Sequence, residues 1–216
     1  MTRKDPSPVD LEIAEPATDT SLSRRSLVTR VGAAGLAGLA AALLIDRGTL
    51  VSAAGPEDRP GVPTDADNVL LAQVMALELS LGELYRTASE GASDDLALIA
   101  DVMASNHRAY AEAIAGATGI SAGAADPELV ADNLDAFTGS TTEALTAAHA
   151  LEQTAVATHT ALIAEYEINT AIALTASIAV VEARHATVIA DMLGVDDLDV
   201  LFGNDQSPLE LTGDDA

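Results

Sequence analysis

Between residues 65 and 193, apolar side chains recur every three or four positions, and polar residues fill the positions between them. This spacing is typical of amphipathic helices, because one apolar stripe faces the core while the opposite face meets water. Breaks that contain glycine or polar residues divide the pattern into segments of helical length. The pattern predicts four long helices, over residues 65–90, 94–117, 140–166 and 169–193.

Capping residues mark where these helices begin. Asp65 or Asp67 is expected to cap the first helix, and Ser140-Thr-Thr-Glu143 is a capping box at the start of the third. Short turns join the first helix to the second and the third to the fourth. The middle connection is long and includes a short predicted helix over residues 127–137. Two antiparallel hairpins with a long crossover are a known arrangement of helix bundles, so the predicted fold class is all-α, a four-helix bundle.

The composition fits closely packed helices and narrows the range of functions. Hydrophobic residues make up 49% of the chain but aromatic residues only 2%. The 34 acidic and 10 basic residues give a formal net charge of -24. This argues against a nucleic-acid partner, because phosphate binding needs basic residues. The absence of cysteine excludes disulfides, zinc–thiolate sites and iron–sulfur clusters.

Residues 1–53 have the organisation of an export signal. Ser23-Arg24-Arg25-Ser26-Leu27 precedes an apolar run over residues 31–45, and small residues follow at 51–53. The run is shorter than the roughly 20 residues that span a bilayer. The double-arginine motif resembles a twin-arginine signal, which implies export by the twin-arginine translocase. We expect a disordered signal and a protein in the periplasm, the cell envelope or the exterior; an uncleaved signal that anchors the protein in the membrane is the alternative.

Composition also predicts the boundaries of the linker, the bundle and the tail. A linker rich in proline and glycine is predicted over residues 54–64, the bundle over 65–194 and an acidic tail over 195–216. The tail contains seven Asp or Glu residues together with glycine and proline. We therefore expect the tail to be only loosely attached to the bundle.

Five acidic or imidazole side chains occupy positions on the core faces of the predicted helices: Glu78, His107, Glu152, Glu182 and His185. Glu182 and His185 are three residues apart and share one face of the fourth helix. Burying such groups is costly unless they are paired or bind a metal ion. In each predicted hairpin the candidates lie equally far from the turn, so all five are expected at one depth in the bundle. Glu-x-x-His is an inward ligand pattern of di-metal bundles.

Residues 66–194 resemble a ferritin-like domain of the kind that bacteria export. The resemblance rests on Leu77-Glu78 followed by Tyr85, on Glu152 followed by His159, and on Val181-Glu-Ala-Arg-His-Ala186. It implies that Glu78 and Glu152 are terminal carboxylate ligands, that Glu182 bridges, and that His107 and His185 are the imidazole ligands. The implied cofactor is iron or manganese. The implied chemistry is that of an oxidoreductase of the ferroxidase or peroxide-scavenging type, acting on O2 or peroxide.

The chain departs from the family pattern at one position. Three residues before His107 the pattern has Glu, whereas this chain has Ala104. The candidate site therefore lacks one bridging carboxylate, and a mononuclear or asymmetric site is an alternative to a dinuclear one. Asp101 and Asn106 are candidates to compensate in part, and His149 is a candidate substitute ligand.

Two further alternatives concern the role of the polar residues. His159 lies on the same face of the third helix as Glu152, and it is expected to be a core histidine or a hydrogen-bonding neighbour rather than a ligand. The carboxylates and imidazoles also suit a metal-free network of mutual hydrogen bonds. In that case the protein is a non-enzymatic bundle with a structural or binding role in the cell envelope. The sequence leaves the oligomeric state, including a homo-oligomer, open.

Overall fold

The structure is a computed structural model that describes residues 61–92, 94–121 and 123–210. The expected signal, over residues 1–53, lies outside the described residues, as do most of the predicted linker and the last six residues of the tail. The regular structure of the described residues consists of helices, without strands. The helices are α1 (Asp65–Gly91), α2 (Asp94–Thr118), α3 (Pro127–Phe137), α4 (Thr141–Ile163), α5 (Asn169–Leu193) and α6 (Leu198–Phe202).

The residue that caps α1 is not one of the two predicted from the sequence. Thr64 is the N-cap, and its side chain accepts a hydrogen bond from the Asp67 N–H while the Asp67 carboxylate accepts one from the Thr64 N–H. The other carboxylate oxygen of Asp67 accepts from the backbone N–H of Glu167 at 2.8 Å. Asp67 is therefore buried because it serves two backbone segments at once.

The end of α4 also differs from the sequence prediction. The predicted helix reaches Tyr166, whereas α4 ends at Ile163. Ala164 and Glu165 donate backbone hydrogen bonds to carbonyls only three residues back, which tightens and ends the last turn. Tyr166 continues the apolar pattern because its ring is buried in the turn, where its hydroxyl accepts a hydrogen bond from Thr175.

Two apolar clusters form the core. The first contains Leu81, Leu84, Ile99, Met103, Leu145 and Ile189 among its members. The second contains Leu71, Val74, Ile114, Leu162 and Ile178. Along α1 and α5 the chain passes from the second cluster to the first, and along α2 and α4 it passes from the first to the second. Helix α1 packs along α2, helix α4 packs along α5, and α3 contacts α1 and α4.

Among the described helices, α5 alone is long and apolar enough to cross a membrane by length and composition. Half of its most apolar window is buried inside the protein. Its buried face includes Ile178 and Ile189, which belong to the two core clusters. Packing within the bundle therefore accounts for the apolar character of α5.

The tail is more closely attached than its composition indicates. As far as Glu210, the tail lies against α4: Gln153 donates to the Gly203 carbonyl, and the Asn204 side chain donates to the Gln153 carbonyl. The Leu209 N–H donates to the Thr158 hydroxyl at 2.9 Å, and the Leu209 side chain packs against the first apolar cluster. The expectation of a loose tail was wrong for this stretch because its acidic side chains are exposed, while backbone groups, the Asn204 side chain and Leu209 make the contacts.

We predict that Leu209→Asp detaches the tail and lowers the free energy of unfolding by about 1–2 kcal/mol, because a half-buried Leu loses its apolar contacts. Limited proteolysis should then cleave the tail faster while the bundle stays intact. Leu198→Asp is the matched control, because Leu198 is exposed in the same tail. Equal cleavage rates for both variants would contradict docking through Leu209.

Candidate metal centre

Six acidic and imidazole side chains meet between the two apolar clusters. The carboxylates are Glu78, Glu152 and Glu182, and the imidazoles are His107, His159 and His185. Five of them are 0% exposed, and His185 is 5% exposed. The structure thus brings together the five candidate ligands of the sequence analysis and adds His159. We call these six residues the polar cluster.

His107 connects helices α1 and α4 through its two ring nitrogens. Its Nδ1 lies 2.8 Å from Glu78 Oε2, and its Nε2 lies 3.2 Å from Glu152 Oε1. Tyr85 stacks on the imidazole with ring centroids 5.5 Å apart, and Tyr110 meets it edge-on. These contacts fix both the position and the plane of the His107 ring.

Glu152, on α4, lies close to side chains from α1, α2 and α5. Its Oε1 accepts a hydrogen bond of 2.6 Å from the Tyr85 hydroxyl. His185 Nδ1 lies 3.3 Å from the same oxygen, within ion-pair distance but without hydrogen-bond alignment. On the far side of its ring, His185 Nε2 lies 3.0 Å from Asn106 Nδ2.

His159 is buried within the polar cluster and hydrogen-bonds to its carboxylates, as expected of a core histidine beside the candidate ligands. Its Nε2 is 3.0 Å from Glu78 Oε1 and 3.0 Å from Glu182 Oε1. One ring nitrogen therefore faces carboxylates from α1 and α5 together. The available sequence signal was the seven-residue spacing from Glu152, which places both residues on one face of α4 two turns apart.

The residues proposed to compensate for Ala104 have different positions. Asp101 is exposed and takes no part in the polar cluster. Asn106 is buried and contacts His185, so it supports an imidazole instead of replacing a carboxylate. His149 is partly exposed and lies outside the polar cluster. Ala104 itself packs against the first apolar cluster.

Mutual pairing sets the charge states of the carboxylates. Burial favours the neutral acid, but hydrogen bonds from His107 and His159 outweigh it and lower the pKa of Glu78 to about 2. The pKa of Glu152 is also lowered, against burial, by the charges of His185 and His107. For Glu182 burial prevails, with repulsion from the other two carboxylates added, and its pKa rises to about 8 despite His159.

The same pairing keeps two imidazoles protonated. Burial alone would lower the pKa of His107, but Glu152 and Glu78 raise it well above its usual value. Glu182 and Glu78 likewise overcome burial and raise the pKa of His159 to about 10. The imidazolium ions thus neutralise carboxylates in a region that excludes water.

The donor set fits a metal ion on two observations. Two groups of three residues hold donor atoms within 4.8 Å of one another: His107, Glu152 and His185 in one group, and Glu78, His107 and Glu182 in the other. Four buried atoms of the polar cluster also make no aligned hydrogen bond among the described residues: Glu152 Oε2, His159 Nδ1, Glu182 Oε2 and His185 Nδ1. Two of them lie only at ion-pair distance from a neighbour, with Glu182 Oε2 2.9 Å from His159 Nε2 and His185 Nδ1 3.3 Å from Glu152 Oε1. Unpartnered buried polar atoms are costly, and carboxylate oxygens and imidazole nitrogens are suitable metal donors.

We predict that the metal-free protein loses thermal stability as the pH rises from 6.5 to 8. The stabilisation of the fold by protonated His159 is complete below the unfolded pKa of 6.5, and it is lost as the pH rises through the folded pKa of about 10. The stabilisation by protonated Glu182 is complete below its unfolded pKa of 4.5, and it is lost as the pH rises through its folded pKa of about 8. The folded state therefore holds more protons than the unfolded chain across this window, and rising pH favours unfolding.

This dependence is measured as the unfolding temperature in a chelator-containing buffer. Glu182→Gln serves as the control, because it removes the Glu182 titration and the largest cause of the raised His159 pKa, and it should flatten the curve below pH 8. At acid pH, ionised Glu78 stabilises the fold above its unfolded pKa of 4.5, and this stabilisation is lost as the pH falls through its folded pKa of about 2. A stability that increases between pH 6.5 and 8 would contradict this assignment of protons.

Comparison with known proteins agrees with this geometry. The family model for the ferritin-like domain matches residues 66–195. No curated protein and no solved structure matches the chain. The family match covers more than half of the chain and includes all six residues of the polar cluster. The protein therefore belongs to the ferritin-like domain family.

Proposed function

We propose that this protein binds a divalent transition-metal ion, iron or manganese, in the polar cluster. The observation that carries the proposal is the set of donor atoms without an aligned hydrogen bond on Glu152, Glu182, His159 and His185, buried between two apolar clusters. A protein that buries such atoms without a ligand loses stability. The ligands are drawn from Glu78, His107, Glu152, Glu182 and His185, which form two alternative groups of three that share His107.

A bound redox metal in this position would supply ferroxidase-type or peroxide-scavenging chemistry with O2 or peroxide. The protein's own residues would exclude water from the metal and hold its ligands in position. The apolar clusters on both sides exclude bulk water from the donor atoms, which strengthens electrostatic interactions. The Tyr85 hydroxyl donates to Glu152 Oε1 and holds that carboxylate in place. The proposed activity is that of an oxidoreductase.

The fold proposed for this function is the ferritin-like arrangement of two antiparallel hairpins with α3 in the crossover. It is supported by the opposite passage of α1 and α2, and of α4 and α5, between the two apolar clusters. Each hairpin then brings donors from both of its helices to one depth. This is the arrangement in which side chains on facing helices build metal sites.

A specific observation favours the competing, metal-free function. Three carboxylates face three imidazoles, and His107 and His159 each contact two carboxylates at hydrogen-bonding distance. The polar cluster thus provides much of its own charge compensation. In this case the network holds the helices in register, and the protein has a structural or binding role in the cell envelope.

Metal binding is tested with His107→Gln, because His107 belongs to both candidate donor groups. We expect the purified wild-type protein to hold at least one iron or manganese ion per chain. The variant should bind at least about 100-fold more weakly, since losing a ligand costs more than losing a ligand's hydrogen-bond partner. Metal content and isothermal titration calorimetry provide the measurement.

His149→Gln is the matched control, because it makes the same substitution on a histidine outside the polar cluster. It should bind metal as the wild type does. Circular dichroism checks that both variants fold. A wild-type protein that contains no metal, and whose unfolding temperature is unchanged by added Fe(II) or Mn(II), would favour the metal-free function.

We also propose that the protein is exported through the twin-arginine translocase, on the basis of Arg24 and Arg25 before the apolar run over residues 31–45. Folding before export would allow the metal to be loaded inside the cell. Replacing both arginines with lysine should retain the full-length precursor in the cytoplasm, as measured by fractionation and immunoblotting. Replacing Arg30 alone with lysine is the control. Export of the double variant at the wild-type rate would refute this route.

A further inference from the structure

We propose that the polar cluster holds one metal ion, bound by His107, Glu152 and His185, and that His159 occupies the place of a second ion between Glu78 and Glu182. This inference rests on the proposed metal binding and specifies its stoichiometry and ligands. It differs from the dinuclear pattern that the family resemblance implies, in which Glu182 is a bridging ligand.

The first step concerns His107, which both candidate donor groups share. A neutral imidazole has a lone pair on only one ring nitrogen, because the other nitrogen carries a proton. His107 therefore serves as a ligand to one ion at a time. The two groups of donors are alternatives, and they do not form a pair of sites filled together.

The second step decides which nitrogen of His107 binds the ion. Its Nδ1 makes the shorter contact, 2.8 Å to Glu78 Oε2, whereas its Nε2 is 3.2 Å from Glu152 Oε1. A carboxylate that accepts the Nδ1 proton orients the ring and makes Nε2 a better donor. Nε2 then points its lone pair towards Glu152 and His185, and Glu78 is a positioning residue.

The third step concerns His185, whose Nδ1 is buried without a hydrogen-bond partner and lies 3.3 Å from Glu152 Oε1. Asn106 contacts the opposite nitrogen, Nε2, at 3.0 Å, and its own Oδ1 has no partner. A half-turn of the Asn106 amide lets Oδ1 accept the Nε2 proton, which leaves the Nδ1 lone pair for the ion. Two imidazoles and one carboxylate form a donor set that leaves coordination positions open.

The fourth step explains why the other half of the polar cluster takes no ion. His159 Nε2 lies 3.0 Å from Glu78 Oε1 and 2.9 Å from Glu182 Oε2. A ring N–H thus stands between these two carboxylates, where a second cation would bind. His159 is also the only polar side chain that contacts Glu182 at hydrogen-bonding or ion-pair distance in the described part of the chain. Ala104 supplies no second bridging carboxylate beside Glu182, which fits a site without a second ion.

The experiment compares Glu152→Gln with Glu182→Gln, two near-isosteric changes at side chains that are both 0% exposed. Mn(II) is the probe, with stoichiometry and Kd from calorimetry and the electron paramagnetic resonance spectrum as a second readout. We expect one Mn(II) per wild-type chain, with the spectrum of an isolated ion. Glu152→Gln should weaken binding by at least about 100-fold, and Glu182→Gln should keep one ion with a Kd changed by less than about fivefold.

His185→Gln provides a second ligand variant at the least buried member of the polar cluster, in case Glu152→Gln does not fold. It too should weaken binding by at least about 100-fold. Two ions per wild-type chain with an exchange-coupled spectrum would overturn this inference and leave metal binding intact. So would a Glu182→Gln variant that loses the ion while His185→Gln keeps it. A wild-type protein that binds no Mn(II) and no Fe(II) would overturn the proposed function itself.

Discussion

The bundle depends on the pairing of acidic and imidazole side chains that it buries away from water. An isolated carboxylate or imidazolium in such an interior costs several kcal/mol or becomes neutral. Here carboxylates from three helices face imidazoles from three helices, so that each charge has a partner on another element. The pairs therefore act between helices, and they favour the one register in which all of them form.

The apolar clusters and the polar cluster support each other. The clusters on either side keep water away, which strengthens every hydrogen bond between them. Tyr85 shows how the two kinds of contact combine, because its ring stacks on His107 while its hydroxyl reaches Glu152. Ala104 adds to the apolar packing at the position where a ferritin-like pattern has a carboxylate. At this position the chain therefore contributes an apolar contact and no charge.

The sequence predicted the four long helices and the convergence of its five candidate residues, because helical periodicity and equal distances from the turns are local properties. Three features were outside its reach. The burial of His159 was expected, but its contacts with Glu78 and Glu182 depend on how α1 and α5 pack against α4, which no spacing within α4 reveals. Asn106 was considered as partial compensation for Ala104, yet its contact is with His185. The looseness of the tail was predicted from its acidic side chains, whereas its attachment depends on backbone groups, the Asn204 side chain and one leucine.

The hydrogen bond from the Glu167 N–H to Asp67 joins the beginning of α1 to the connection between α4 and α5, 100 residues later. During synthesis, the first turn of α1 therefore lacks this partner until nearly the whole domain has left the ribosome. Contacts so distant along the chain form late and slow the completion of folding. A leader joined to the domain through the predicted linker would accordingly stay tethered to an unfinished end of the domain until its final hairpin closes.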